Sequence, residues 1–141
     1  MSQLYNNGIA ALAGTPYASA PVLALIVDSG HTFDVTNEYV SDVVIDEVTN
    51  ATGTGYERKT LTGKTVTADQ VNNWVVFDAT DLSYTAVETN ETWDAVILFI
   101  DTGDDATSPL LCYIEIDALV TNGSDASITW ASTGIFRINN P

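Results

Sequence analysis

The stretch Trp93–Asp117, WDAVILFIDTGDDATSPLLCYIEID, decides the fold. It contains two apolar runs, Ala95–Ile100 and Leu110–Ile116, each long enough for a strand and too short for a good helix. DTGDDATSP lies between them, dense in Asp, Gly, Ser and Pro, which close turns through local side-chain bonds or unusual backbone angles. The stretch therefore predicts a hairpin with a polar loop. Almost no charge falls inside the two runs, so the pair is expected mid-sheet, covered on at least one face.

The flanking segments read as partners of that pair. Pro21–Asp28, PVLALIVD, is apolar on both faces and is expected to be central. Ser29–Gly30 turns the chain, and Thr36 or Asn37 is placed to cap a helical turn through Glu38–Asp42. Val43–Val48 reads either as a short strand or as a continuation of that turn. Tyr56–Leu61 alternates, Lys64–Thr67 is short, and Asp69–Asn73 is a turn. Trp74–Ala79 is a strand with Trp74 and Val76 on one side and Val75 and Phe77 on the other. Asp81–Val87 alternates as a half-exposed strand, and Ser127–Trp130 and Gly134–Ile138 close the chain around a turn. About nine short strands at close spacing suit a sandwich or barrel. The expectation is an all-β, single-domain antiparallel β-sandwich, jelly-roll-like, over residues 21–141, preceded by an N-terminal arm, residues 1–20.

At 141 residues the chain is long enough to bury a core, and its 45% apolar content argues against wholesale disorder. Charge is the anomaly: 19 Asp and Glu against 4 Lys and Arg, a formal net of −15. Repulsion of that size disfavours nucleic acid and anionic membrane surfaces, both of which need basic residues. It favours solubility and attraction to a basic partner. The single cysteine, Cys112, sits inside an apolar strand without an intrachain partner, so it reads as a small buried hydrophobe. The N-terminus lacks a basic region followed by a long apolar run, so synthesis in a reducing cytoplasm without classical export is expected.

No constellation spells out a reaction. His31 is the only histidine, with no cysteine or second histidine nearby, and is expected to be structural. Asp101–Asp105 puts three carboxylates within five positions, but no Glu stands at the twelfth position to close a calcium loop. The carboxylate pairs Asp78/Asp81 and Asp46/Glu47 have no spacing that singles them out among 19 acids. Neither a nucleophile-elbow pattern nor a phosphate-binding glycine loop is present. The chain is expected to be no enzyme, with no catalytic residue, no cofactor and no metal.

Strung together, VLALIVDS, NEYVSDV, TGTGY, TLTGKTVT, VVFDATDLSY, the strand–DTG–loop–TSPL–strand hairpin and ITW resemble a family of small tailed-bacteriophage virion structural proteins. The likeness runs from about Leu4 to Ile138 and consists of packing and turn signatures, so it implies no active-site residues. Among virion roles, the resemblance together with the charge implies an outer position, away from packaged DNA. The expected role is a capsid decoration, or cement, protein binding the major capsid protein as a homo-oligomer, trimer or dimer. A tail, neck or head-fibre component is the alternative. A carbohydrate-binding β-sandwich is a third reading, which needs exposed Trp or Tyr on one sheet face.

Residues 1–20 carry no charged side chain and many small ones. Such a segment lies flush on another surface with little to desolvate, or is simply a frayed terminus. On the first reading Leu4, Tyr5, Ile9 and Leu12 are the expected anchors to the capsid or a neighbouring copy. Arg58, Lys59 and Lys64 are the next candidates for that contact.

Overall fold

The computed structural model describes residues 2–5, 16–48 and 55–139. The expected hairpin is its longest feature. Its strands are β7 (Thr92–Ile100) and β8 (Leu110–Val120). Ahead of them in the chain come β1 (Ser2–Leu4), β2 (Val22–Val27), β3 (Lys59–Thr60), β4 (Thr65–Asp69), β5 (Trp74–Asp78) and β6 (Leu82–Tyr84). Two more, β9 (Ala126–Ile128) and β10 (Phe136–Asn139), follow. All pairings between these strands are antiparallel, so the fold is all-β. They form a five-stranded sheet in the order β1-β8-β7-β2-β3, a three-stranded sheet β10-β5-β4 and a two-stranded sheet β6-β9. Two four-stranded sheets of a jelly roll are not formed among the described residues, because two of the later strands pair off by themselves.

The five-stranded sheet is buried on both faces at its centre, along β2, most of β7 and Leu110–Tyr113 of β8, as these apolar runs require. Val22, Ala24 and Ile26 of β2 and Val96, Leu98 and Ile100 of β7 point into one core. Leu25 and Val27 of β2 and Ala95, Ile97 and Phe99 of β7 point into a second. The first core is closed by Phe77 and Phe136 of the three-stranded sheet and by Leu82, Tyr84 and Ile128 of the two-stranded one. Phe77 and Phe136 stack with ring centroids 4.5 Å apart, and Tyr17 meets both edge-on at 5.4 and 5.8 Å. Each such side chain contributes about 1.5–3 kcal/mol by leaving water.

The second core is covered by the segment 33–48, with Phe33, Val40 and Val43 packed on the sheet. Of the readings open for 38–48, a helical turn through Glu38–Asp42 that continues beyond it holds, and a strand over Val43–Val48 does not form. The segment winds through two 3-10 turns, Val40–Asp42 and Val44–Asp46. Its cap is not Thr36 or Asn37: Asp42 Oδ2 reaches back to accept from the backbone N–H groups of Glu38 and Tyr39 at 2.9 and 3.0 Å. Val40 N–H donates to Ser108 C=O at 3.0 Å, Leu110 N–H of β8 to Glu38 C=O at 3.0 Å and Val48 N–H to Ile26 C=O of β2 at 3.0 Å, so the segment is tied both to the hairpin loop and to the sheet.

β8 departs from simple alternation. Its register with β7 shifts between Leu98 and Phe99, where one extra residue enters β8. Leu111 and Cys112 therefore both face the first core, while Leu110 and Tyr113 face the second. A second shift, between Trp93 and Ala95, accompanies the placement of Trp93 in the first core and Ala95 in the second.

Candidate interaction surface

The expected N-terminal anchors divide. Leu4 lies in β1, which pairs along β8 with Leu4 opposite Cys112, so this part of the arm is laid against the chain's own sheet. Tyr5 has no exposed surface: it packs in the second core, 5.0 Å ring to ring from Phe33, and is unavailable to another protein in this fold. The reason is local, since Tyr5 N–H donates to Leu111 C=O at 3.3 Å and continues the pairing inward. Tyr17 and Ala20 are likewise core residues. Ile9 and Leu12 lie outside the described residues.

The basic candidates are engaged inside the chain. Arg58 donates to Glu47 through Nε and Nη2 at 2.9 and 2.7 Å, and to Asp105 through Nη1 and Nη2 at 2.7 and 3.0 Å. Its guanidinium also lies 5.5 Å from the centre of the Phe99 ring. Tyr56 hydroxyl donates to Glu47 at 2.8 Å while accepting from Ile26 N–H at 3.1 Å, so the cluster is rooted in the core. Hydrogen bonds and attraction from Arg58 hold the Asp105 carboxyl below the usual carboxylate range. Asp105 is thus more than a turn carboxylate, while Asp104 stays exposed and accepts from Ala106 N–H within its own loop. Lys59 pairs with Glu57 at 2.7 Å, and Lys64 donates to Ala20 C=O. Arg137 stacks over Trp74, 3.8 Å from the ring centre.

Three further features bear on chemistry. His31 is buried and shares a 2.9 Å hydrogen bond between Nδ1 and Asp46, a structural tie between two loops. Among the described residues no group of three or more His, Cys, Asp or Glu is placed to share a metal ion. Burial pushes the Cys112 thiol up to about 12, which keeps it protonated and unreactive. Among the aromatic residues, Trp93 is fully buried and Trp130 is buried with Nε1 donating to Thr80 C=O at 3.1 Å. Trp74 is covered on one face by Arg137, and Tyr5, Tyr17, Tyr56, Tyr84 and Tyr113 are buried.

One concavity went unrecognised in the sequence. An open groove of ≈ 820 Å³ runs between β8 and β10, lined by Ile114–Asp117 and Leu119 on one side and by 133–137 on the other. Residues 127–131 and Ser2 complete it. β8 pairs with β1 only over Cys112–Ile114, so among the described residues no strand pairs with that edge over 115–120. Among the described residues β10 is the outer strand of its sheet and pairs only with β5. The groove is thus flanked by two strands with open edges. Gly134 sets the start of β10 with φ +98°, and a Cβ there would collide with the Val76 side chain. Its successor Ile135 donates to Phe77 C=O at 2.8 Å and aligns the strand. The one sequence signal for this site was the mixed run Ile114–Val120, where carboxylates interrupt an apolar strand beyond the expected end at Ile116.

Composition and fold together define an acidic, antiparallel all-β chain. No protein-family model, no curated protein and no solved structure matches the chain.

Proposed function

We propose that the chain is a structural protein of a tailed-bacteriophage virion, a decoration (cement) protein on the outer head surface. It binds the major capsid protein, assembles as a homo-oligomer, and reinforces the shell without catalysis; it is made in the host bacterial cytoplasm. One observation carries this reading: all four Lys and Arg side chains are taken up within the chain, by Glu47 and Asp105, Glu57, Ala20 and Trp74. The 19 carboxylates are thereby left with almost no free counter-charge, and such a surface is repelled by packaged DNA and favours the outside of a particle. The glycan-binding reading has less support, since Trp93 and Trp130 are buried and one face of Trp74 is covered by Arg137. A tail, neck or head-fibre position shares the same electrostatic support and is separated by imaging alone. Cryo-electron microscopy of the particle tests the proposal. Density for this fold in many symmetric copies on the outer head is the expected result. Its presence on the inner wall, or its absence from the particle, overturns the reading.

A further inference from the structure

We infer that the groove between β8 and β10 is a docking site for an extended, basic polypeptide segment, which adds as a strand to one of the open edges. An edge strand offers a row of unpaired backbone donors and acceptors, and β-augmentation is the recognition mode that uses them. Here the β8 edge over 115–120 and the outer edge of β10 both border a groove of ≈ 820 Å³. Ile114, Ile116 and Leu119 are only partly buried along it and offer apolar contacts to alternate side chains of an incoming strand. Glu115 and Asp117 are exposed and also line it.

Charge selects the occupant. Among the described lining residues the only cation, Arg137, is committed to Trp74, while Glu115 and Asp117 are exposed on β8, alternating with Ile114 and Ile116. A second copy of this chain is a poor occupant. Pairing β8 with its symmetry mate would set Glu115 and Asp117 against themselves, on a chain already carrying −15. A segment alternating apolar with Lys or Arg side chains meets both requirements, satisfying the backbone edge and neutralising the two carboxylates. The inference stands apart from the virion reading, because strand capture is measurable on the isolated chain.

The experiment uses the full chain and three synthetic octapeptides. One alternates lysine with valine, one alternates glutamate with valine, and one is the lysine peptide N-methylated at every second amide. Binding is followed by calorimetry and by amide hydrogen exchange. The lysine peptide is expected to bind at least about tenfold more tightly than either control. It should slow exchange within 115–120 or 136–139. Glu115→Lys with Asp117→Lys, checked for an unchanged melting profile, should invert the preference toward the glutamate peptide. Should that variant misfold, the N-methyl comparison decides alone. Equal binding of the N-methylated peptide would mean a charged patch and no strand pairing. Either that result, equal binding of the glutamate peptide, or no slowed exchange at about 1 mM lysine peptide overturns the inference.

Discussion

Replacing Arg58 with methionine keeps most of the side chain's volume and removes its five donors. In the structure those donors hold Glu47, whose side chain is 13% exposed, and Asp105, whose side chain is 41% exposed. The two halves of the cluster should therefore differ in value. The Asp105 half is solvent-screened and belongs with surface pairs, worth about 1 kcal/mol or less. The Glu47 half is largely desolvated, and loss of its partner strands a carboxylate beside Tyr56, with losses for fully buried pairs reaching about 3–5 kcal/mol. Arg58 is itself 26% exposed, which places the expected loss for Arg58→Met below that range, at about 2–3 kcal/mol. At roughly 3 °C per kcal/mol for a chain of this size, the melting temperature should fall by about 6–9 °C. Asp105→Asn should lower it by about 3 °C or less. Thermal and urea unfolding of the two single variants and the double variant supply the cycle. The reasoning fails if Arg58→Met is no worse than Asp105→Asn. The same pair makes a pH prediction. The Asp105 carboxyl titrates lower in the folded chain than when unfolded, where its value is about 3.9. Its contribution is complete above the unfolded value and is lost as pH falls through the folded one. The stability gap between the parent chain and Asp105→Asn should thus be constant near neutrality and close below about pH 4.

Three further outcomes follow from burial and backbone geometry. Cys112, buried and protonated, should not react with a disulfide reagent at pH 8 in the native chain and should react fully in denaturant; rapid native labelling would show that β8 opens. Tyr5→Ala removes a fully buried ring from the second core and should cost about 3–5 kcal/mol in urea unfolding. For the same reason deletion of residues 2–20, which contribute β1, Tyr5, Tyr17 and Ala20 to sheet and cores, should leave a destabilised chain rather than an intact domain. Gly134→Ala imposes strain at φ +98° and a clash with Val76, so a loss of more than about 1 kcal/mol is expected; an unchanged melting temperature would mean that the β9–β10 turn yields freely.

Local pattern alone was enough for the all-β class and for most of the strands. Ala95–Ile100 and Leu110–Ile116 are too short and too apolar for anything but central strands, and they form the middle of the largest sheet. That Val75 and Phe77 share one side of β5 was legible because alternation in a strand is a property of the backbone; that this side faces the core is decided by the sheet's packing. Turn chemistry at Asp69–Asn73 was legible too, since Asp69 accepts from Val71 and Asn72 N–H within its own turn.

Other features depend on residues distant in the chain, and no local pattern encodes them. Alternation across Leu110–Tyr113 is broken by a bulge that exists only through pairing with β7. The 3-10 turn at Val40–Asp42 is tied to Asp105 and Ser108, more than 60 residues away. Tyr5 looked like part of an uncharged tail until β8 supplied the edge that draws it into the core. Arg58 and Asp105, 47 positions apart, looked like two independent surface charges. The groove joins β8 to β10 across two different sheets. Sequence pattern determines what each segment prefers to bury; only tertiary pairing decides which edges stay open and which charges find each other, because both depend on contacts between strands far apart in the chain.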